Sequence, residues 1–556
     1  MLEAHTVADV RAAEAPLLAT LPAGALMQRA VSGLVAHVGR RLGRVYGARV
    51  VVLAGGGDNG GDALWAGARL AARGAVVQAL APGRTHPEGT AALLAAGGRL
   101  YRTGPPESGP RGAGSDAAAS DVAGSGAAGS RGGGSRAGDS RGGPSRGGAS
   151  PDGLGGDRAA ELLASADIVL DGLLGIGGRG ALRDPYAALT RLTPTARTVA
   201  VDVPSGVDAD TGAVADGAVR ASSTVTFGTY KRGLLVGPGA THTGQVELVD
   251  IGLTLPAADL RALRDGDVAR LLPVPLATDS KYTRGVLGLV GGSDRYPGAA
   301  VLAVGGALRG GAGYLRVAAQ ARAADHVLRA HPEAVVTVIE PGDADAALGV
   351  GRVQAWAIGP GLPADETTGR LVTALLERTD VPLLADAGAL EPLAAVVAAR
   401  PTLLRERTAQ DGTNEVVLTP HEGEFARLVA TALGWDASAV PARLAADRLG
   451  TVRRAAAELG ATVLLKGDRT IVAGVGGESF VNLTGTPWLG TAGSGDVLTG
   501  LTGSLLAAGL APVWAAAAGA HLHGLAAGRG PRPLAASDIP ALLTVAIGDL
   551  LASVEA

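Results

Sequence analysis

The chain has 556 residues and carries 49 basic against 52 acidic side chains, a net charge of −3, so no strong field draws it toward nucleic acid or an anionic membrane. It contains no cysteine, which excludes disulfides, thiolate catalysis and Cys-ligated zinc or iron–sulfur centres. Hydrophobic residues make up 47% of it and aromatics only 3%, so the core must be built from Ala, Val and Leu.

The opening residues, MLEAHTVADVRAAE, are charged where a secretory signal needs an apolar run. No later stretch reaches about 18 apolar residues without a polar or turn residue, and the reading is a soluble, cytoplasmic protein with no membrane partner. Short apolar runs then recur, each ending in a Gly-rich turn and followed by an Ala/Leu-rich stretch: RVVVLAGGG from Arg49, AVVQALAP from Ala75, ADIVLDGLLG from Ala166, TVAVDVPSG from Thr198 and STVTFGT from Ser223. Continuous rather than alternating apolar runs predict strands covered on both faces, hence parallel sheets in α/β layers. Residues 104–157 break the series. Between Gly104 and Gly153 they hold Val122 as the single branched aliphatic residue, which predicts a disordered insertion. Two G-x-S-x-G strings there, at Gly138 and Gly143, lack the strand and helix that a nucleophile elbow requires and are read as chance.

A second series follows the Pro-containing stretch from Pro256 to Pro273: GVLGLVGGS from Gly285, AWAIGPG from Ala355, VPLLADAGAL from Val381, EVVLTPHEGE from Glu415 and TVLLKGDRT from Thr462. The chain therefore divides into two α/β domains, residues 1–255 and 273–556.

In the first domain Gly55, Gly57 and Gly60 form G-x-G-x-x-G directly after a strand. An ordinary dinucleotide site also needs an acid at the end of the next strand, and that strand ends in Ala81-Pro82-Gly83-Arg84. The fuller set is more specific: GGGDNGGDA at Gly55, DGLLGIGGRG at Asp171, VDVPSGVD at Val201 and TVTFGTYKRG at Thr224, each at the C-terminal end of a strand, where open α/β sheets bind ligands. Together these motifs resemble the YjeF N-terminal family, the epimerases of hydrated NADH and NADPH, as does the preceding helix with Glu14 and the LMQRA run. The resemblance implies a Rossmann-like fold. It also implies that Asp58, Asn59, Gly60, Gly61 and Asp62, the loop of Gly175, Ile176, Gly177, Gly178, Arg179, Gly180 and Ala181, and Asp202 contact the hydrated dinucleotide. By the same resemblance Asn59, Asp171 and Ser205 hold a potassium ion, a donor set of oxygens that suits a hard monovalent cation. Read one at a time, Asn59 and Asp171 are equally ordinary turn and cap residues. Asp62 and Lys231 are the candidate proton-handling groups, with Lys231 as a solvated turn residue the bland alternative.

In the second domain, NLTGTPWLGTAGSGDVLTG from Asn482 places a Gly/Ser-rich turn at the start of an apolar helix, so amide N–H groups and the positive helix end face a phosphate. Asp496 would then sit beside that phosphate, where a carboxylate is unwelcome unless it accepts a proton. An N-cap role is the alternative. This arrangement resembles the ribokinase-like fold, and with the motifs starting at Lys281, Gly359, Ala385, Leu418 and Leu464 it resembles the carbohydrate-kinase-like YjeF C-terminal family, the nucleotide-dependent NAD(P)H-hydrate dehydratases. The resemblance implies that Gly361, the stretch His421, Glu422, Gly423, Glu424, Phe425, Ala426 and Arg427, and Asp496 meet the hydrated substrate. It implies that Lys466, Gly467, Asp468, Arg469 and Thr470, with Thr486, Pro487, Trp488, Leu489, Gly490, Thr491, Ala492, Gly493, Ser494 and Gly495, hold ADP, whose phosphates carry Mg2+. Ala492 stands where the family usually has Gly, and a methyl there crowds the phosphate if the residue needs positive φ.

The expectation is a bifunctional enzyme acting on NADHX and NADPHX, with a homo-oligomer as its candidate assembly. One domain epimerises the R and S hydrates and the other dehydrates the S form at the expense of ADP, giving AMP and phosphate. The competing reading is a small-molecule kinase for a vitamin-precursor alcohol, fused to a non-catalytic ligand-binding domain.

Overall fold

A computed structural model describes residues 1–103, 156–178, 180–407 and 416–555. The predicted insertion with its two G-x-S-x-G strings lies outside the described residues, apart from Gly156 and Asp157, which open the helix Gly156–Ser165. Arg179 also lies outside them.

Seven strands form a wholly parallel first sheet in the spatial order Arg99–Arg102, Val76–Ala81, Arg49–Ala54, Ile168–Gly172, Thr198–Val201, Ser223–Phe227 and Gln245–Val249. The order reverses between Arg49–Ala54 and Ile168–Gly172, so a crevice opens beyond their C-terminal ends. Val50, Val52 and Ala54 pack under the helices Ala25–Leu42 and Asp58–Ala71, while Val51 and Leu53 face Gly156–Ser165 and Tyr186–Arg191. Coverage on both faces is why the run shows no alternation. Glycines bring the turn against the strands: a Cβ on Gly60 would fall 2.1 Å from the Gly55 carbonyl oxygen, and one on Gly55 1.9 Å from that of Leu173.

The second sheet runs Val335–Val338, Tyr314–Ala319, Val286–Val290, Ala355–Ile358, Leu383–Ala385, Val416–Leu418, Thr462–Leu465, Ile471–Ala473 and Ser479–Val481. It is parallel as far as Thr462–Leu465. Ile471–Ala473 and Ser479–Val481 then continue it antiparallel, so the expectation of parallel strands holds only for the inner part. Within this sheet Trp356 is 2% exposed and fills the space beside Gly288, where a Cβ would meet its ring at 2.4 Å.

The sheet does not stop there. Leu260–Ala262 pairs with Ser479–Val481, Leu2–His5 pairs with Leu260–Ala262, and Tyr230–Lys231 pairs with Leu2–His5, extending it to twelve strands. The first residues of the chain are thus built into the sheet of the second half. The Met1 ammonium reaches Asp267 at 2.7 Å. His5 bridges the Thr229 hydroxyl (2.8 Å) and the Pro256 carbonyl (3.0 Å). Thr6 then caps the helix Val7–Thr20 in a reciprocal box with Asp9.

Among the described residues one helix, over Ala536–Val554, is long and apolar enough by composition to cross a membrane, with mean hydropathy 1.5. It nevertheless packs Ile539, Leu543, Ala546 and Leu550 into the core of the second half.

Candidate active sites

The crevice of the first sheet is a cavity of about 440 Å3 walled by the helix Val7–Thr20 on one side and by the Gly57–Asn59 turn, the Leu173–Gly178 loop, Asp202 and Lys231 on the other. At its base Lys231, 1% exposed, donates to Asp202 Oδ1 (2.5 Å), Thr226 Oγ1 (3.1 Å) and the Phe227 carbonyl (2.7 Å). Lys231 is therefore not a solvated turn residue. Its three ammonium protons are all engaged. Asp202 Oδ1 also accepts from the Thr226 hydroxyl and the Phe227 amide, and Asp202 has a φ of 64°, a left-handed backbone that few side chains tolerate. Strain of this kind persists where surrounding contacts over-determine it.

Asp62 projects into the same cavity from the first turns of Asp58–Ala71, and its Oδ1 has no hydrogen-bond partner. Burial pushes its carboxyl well above the ordinary range, and the facing Asp202, Asp58 and Glu14 add to the rise. Asn59, Asp171 and Ser205 converge on the Leu173–Gly175 backbone. The Asn59 amide donates to the Leu174 carbonyl (3.0 Å), and Asp171 accepts from the Ser205 amide (2.8 Å) and hydroxyl (2.7 Å). Asp171 is fully buried, which raises its carboxyl to about 6 despite those bonds. Gly60 and Gly61 do not line the cavity: they are buried against Gly55 and against Met27 and His86. Gly180 and Ala181 are exposed beyond the lining loop.

In the second half, Asp496 sits in the first turn of the helix Ser494–Ala507. It is not a cap: Gly493 occupies that position without any side-chain bond, and the Ser494 hydroxyl turns away to the Leu489 carbonyl (2.7 Å). Burial raises Asp496 to about 7, with Asp386 and Glu424 adding to it and Lys466 opposing. Lys466 Nζ lies 2.8 Å from Asp386 and 3.7 Å from Glu424, while Thr499 donates to the other Asp386 oxygen (2.7 Å). Burial draws the Lys466 ammonium down, but these carboxylates outweigh it and hold it above its usual range. A Cβ on Gly495 would stand 3.4 Å from Lys466 Nζ, so the open helix end abuts this charge cluster. Positive φ falls on Gly493 (90°) and not on Ala492, so the Ala492 methyl is tolerated by the backbone.

His421 caps the helix Glu422–Leu433, accepting from the Gly423 and Glu424 amides, and Glu422 pairs with Arg448 (2.5 Å). Glu424 and Arg427 wall a groove of about 330 Å3 together with Tyr296, Leu362 and Ala387. Gly361 borders it at φ 70°, its carbonyl held by Ser293 (2.7 Å). Phe425 is wholly buried in the core and Ala426 packs against that core, so neither stands where a ligand reaches. Gly467 and Asp468 are exposed, Arg469 donates to the Leu483 carbonyl (3.3 Å), and Thr470 closes its turn on the Gly467 carbonyl (3.0 Å). Thr486 starts the short turn Pro487–Leu489, which leaves Trp488 40% exposed.

The sequence does not single out Asp386 within its ADAGAL motif, because its partners Lys466 and Thr499 lie 80 and 113 residues away. Glu14 reads in the sequence only as a helix residue, since the cavity it enters is closed by segments more than 40 residues away.

A Rossmann-order crevice with buried carboxyls, joined to a ribokinase-like layer with a Gly-lined helix start facing an acid and a lysine, defines a two-site enzyme of the α/β class. Residues 23–113 and 147–233 match the family model described as YjeF-related protein N-terminus, and residues 287–546 match NAD(P)H-hydrate dehydratase. The bifunctional NAD(P)H-hydrate repair enzyme Nnr of Mycobacterium tuberculosis is 41% identical over 514 residues, covering 91% of this chain and 89% of that protein. That of Mycobacterium leprae is 39% identical over 545 residues, 96% of each. A solved ADP/ATP-dependent NAD(P)H-hydrate dehydratase from Bacillus subtilis, co-crystallised with ATP/Mg2+, is 28% identical and covers 52% of this chain and 98% of that one, with a TM-score of 0.44. The chain belongs to the bifunctional NAD(P)H-hydrate repair enzymes.

Proposed function

We propose that the first half interconverts the R and S hydrates of NADH and NADPH, and that the second half removes the hydroxyl of the S hydrate using ADP. The observation that carries this reading is Asp496, a buried carboxyl without a capping role at a Gly-lined helix start beside Lys466. Asp496 takes the proton of the C6 hydroxyl as that oxygen bonds to the β-phosphorus of ADP and AMP departs. The helix amides and Lys466 hold the phosphate charge. Phosphate then leaves C6 while C5 loses a proton, which restores the C5=C6 double bond of the dihydronicotinamide. Magnesium would be carried by the nucleotide phosphates, since Asp386 and Glu424 are turned to Lys466. A kinase would stop at the phosphoester; here C6 carries the ring nitrogen, whose lone pair favours expulsion of phosphate.

A mixture of R and S hydrates given ADP, and in a parallel reaction ATP, tests the whole reading. Complete recovery of absorbance at the reduced-nicotinamide band with release of free phosphate is expected. A stable phosphorylated product would make the kinase reading correct.

Asn59, Asp171 and Ser205, with the Leu174 carbonyl, fit a potassium ion: the donors are all oxygen, and Asp171 is a wholly buried carboxylate that faces no cationic side chain among the described residues. Such an ion would neutralise Asp171 and fix the loop that walls the cavity. Replacing potassium by a large organic cation is expected to slow epimerisation at least about tenfold, equivalent to ~1.4 kcal/mol in the barrier, and leave dehydration of the S hydrate unchanged. Asn59→Ala should abolish that potassium response, and a response that survived in the variant would remove Asn59 from the ion's shell.

A further inference from the structure

The cavity of the first half needs two proton-transfer groups and Lys231 cannot be one of them, because its three protons are held by Asp202, Thr226 and Phe227. One oxygen of Asp202, Oδ1, accepts from Lys231, Thr226 and the Phe227 amide, which ties this carboxylate to the base of the cavity. Asp58 is exposed at the start of its helix. Asp62 remains, 8% exposed, with an unpartnered oxygen. The opposite wall is the helix Val7–Thr20, and from it Glu14 enters the cavity with Val10 and Arg11. Among the described residues the Glu14 side chain makes no hydrogen bond or ion pair.

We propose that Glu14 is a catalytic residue of epimerisation, working across the cavity from Asp62. This rests on the hydrate-epimerase reading of the first half. Inversion at C6 by ring opening needs a base at the hydroxyl and an acid at the ring nitrogen in the same step. Glu14 takes the hydroxyl proton, the C6–O bond becomes a carbonyl, the C6–N1 pair stays on nitrogen, and N1 receives the proton of Asp62. Rotation about C5–C6 presents the other carbonyl face. N1 then attacks C6, its proton returns to Asp62, and the new C6 alkoxide recovers a proton from Glu14. No electron leaves or enters the system.

The surroundings suit both roles. Burial pushes the Glu14 carboxyl up, Lys231 pulls against it, and Asp202 and Asp58 add to the rise, so its carboxylate is a stronger base than a free one. The charge on Glu14 in turn adds to the upward shift of the Asp62 carboxyl, whose largest cause is burial. Arg11, on the same helix, also faces Glu14 and moderates it.

The test uses the full chain. R hydrate is supplied, S hydrate is separated and counted over the uncatalysed background, and dehydration of preformed S hydrate by ADP reports folding of the variant. Glu14→Gln is expected to lower kcat for epimerisation by about 10²-fold, the scale of a lost general acid or base, with KM within about threefold and dehydration unchanged. Glu14→Asp, which keeps the carboxyl, should recover at least about a tenth of the wild-type kcat. The proposal fails if Glu14→Gln keeps kcat within about threefold, or if only KM changes, since either result leaves the chemistry independent of this side chain. Wild-type chain that formed no S hydrate above background would overturn the epimerase reading itself, and is distinguished from the other failures by needing no variant.

Discussion

Asp496→Asn is expected to remove nucleotide-dependent dehydration by about 10²- to 10⁴-fold in kcat, the range for a lost general base, while R and S hydrates continue to interconvert. Recovery of the reduced-nicotinamide absorbance from pure S hydrate measures the first effect, and separation of the two hydrates the second. The stability of the variant carries independent information. A cap residue would cost about 1 kcal/mol when lost, but Asp496 caps nothing, and its charge stands close to Asp386 and Glu424. The folded carboxyl is raised to about 7 from 3.8, so the folded state binds the proton more tightly. Its stabilising contribution is complete below the unfolded value and is lost as pH rises through about 7. Above that pH Asp496→Asn should therefore unfold at equal or higher temperature than the wild type. Activity follows the opposite sign. Wild-type kcat/KM for the S hydrate should fall about tenfold per pH unit below about 7, because only the ionised carboxylate can accept the hydroxyl proton. An acid limb retained unchanged in Asp496→Asn would assign it to another group.

Lys231→Met is expected to cost about 3–5 kcal/mol in the unfolding of the first half, the scale for stranding one partner of a buried ion pair. Lys231 is 1% exposed and Asp202 11%, so the orphaned carboxylate would be largely withdrawn from water. The double variant Lys231→Met, Asp202→Asn should regain part of the loss, since the buried charge is then gone from both sides. Urea unfolding followed by circular dichroism reads both. Should the single variant cost under about 1 kcal/mol, the pair is no more than a surface contact in energy and the φ of Asp202 needs another explanation.

Much of this was legible in the order of residues, and particular cases show why the rest was not. Strands at Arg49, Ala166, Gly285 and Ala355 announce themselves because both faces are buried, which makes the apolar run continuous. The strands Leu2–His5, Tyr230–Lys231 and Leu260–Ala262 are two to four residues long, too short to show a period, and exist only because distant segments meet. The GSGD turn reads as an expected phosphate cradle by local composition, but Asp386 is tied to its helix and to Lys466 through Thr499 and the lysine itself, which no spacing rule connects. Gly60, Gly61 and Phe425 show the converse. They lie inside functional motifs, yet their side of the chain is spent on packing a helix against its sheet.

The strand Leu2–His5 has a practical bearing on dissection of the enzyme. Because it lies between Leu260–Ala262 and Tyr230–Lys231, scission of the polypeptide near Asp259 would not release two autonomous proteins: the amino-terminal fragment would still have its first residues wedged into the carboxy-terminal fragment. A purification tag joined ahead of Met1 would likewise displace the ammonium from Asp267. Fragments of this enzyme are therefore expected to co-purify, and loss of either activity on truncation reports a torn seam before it reports a missing catalytic group.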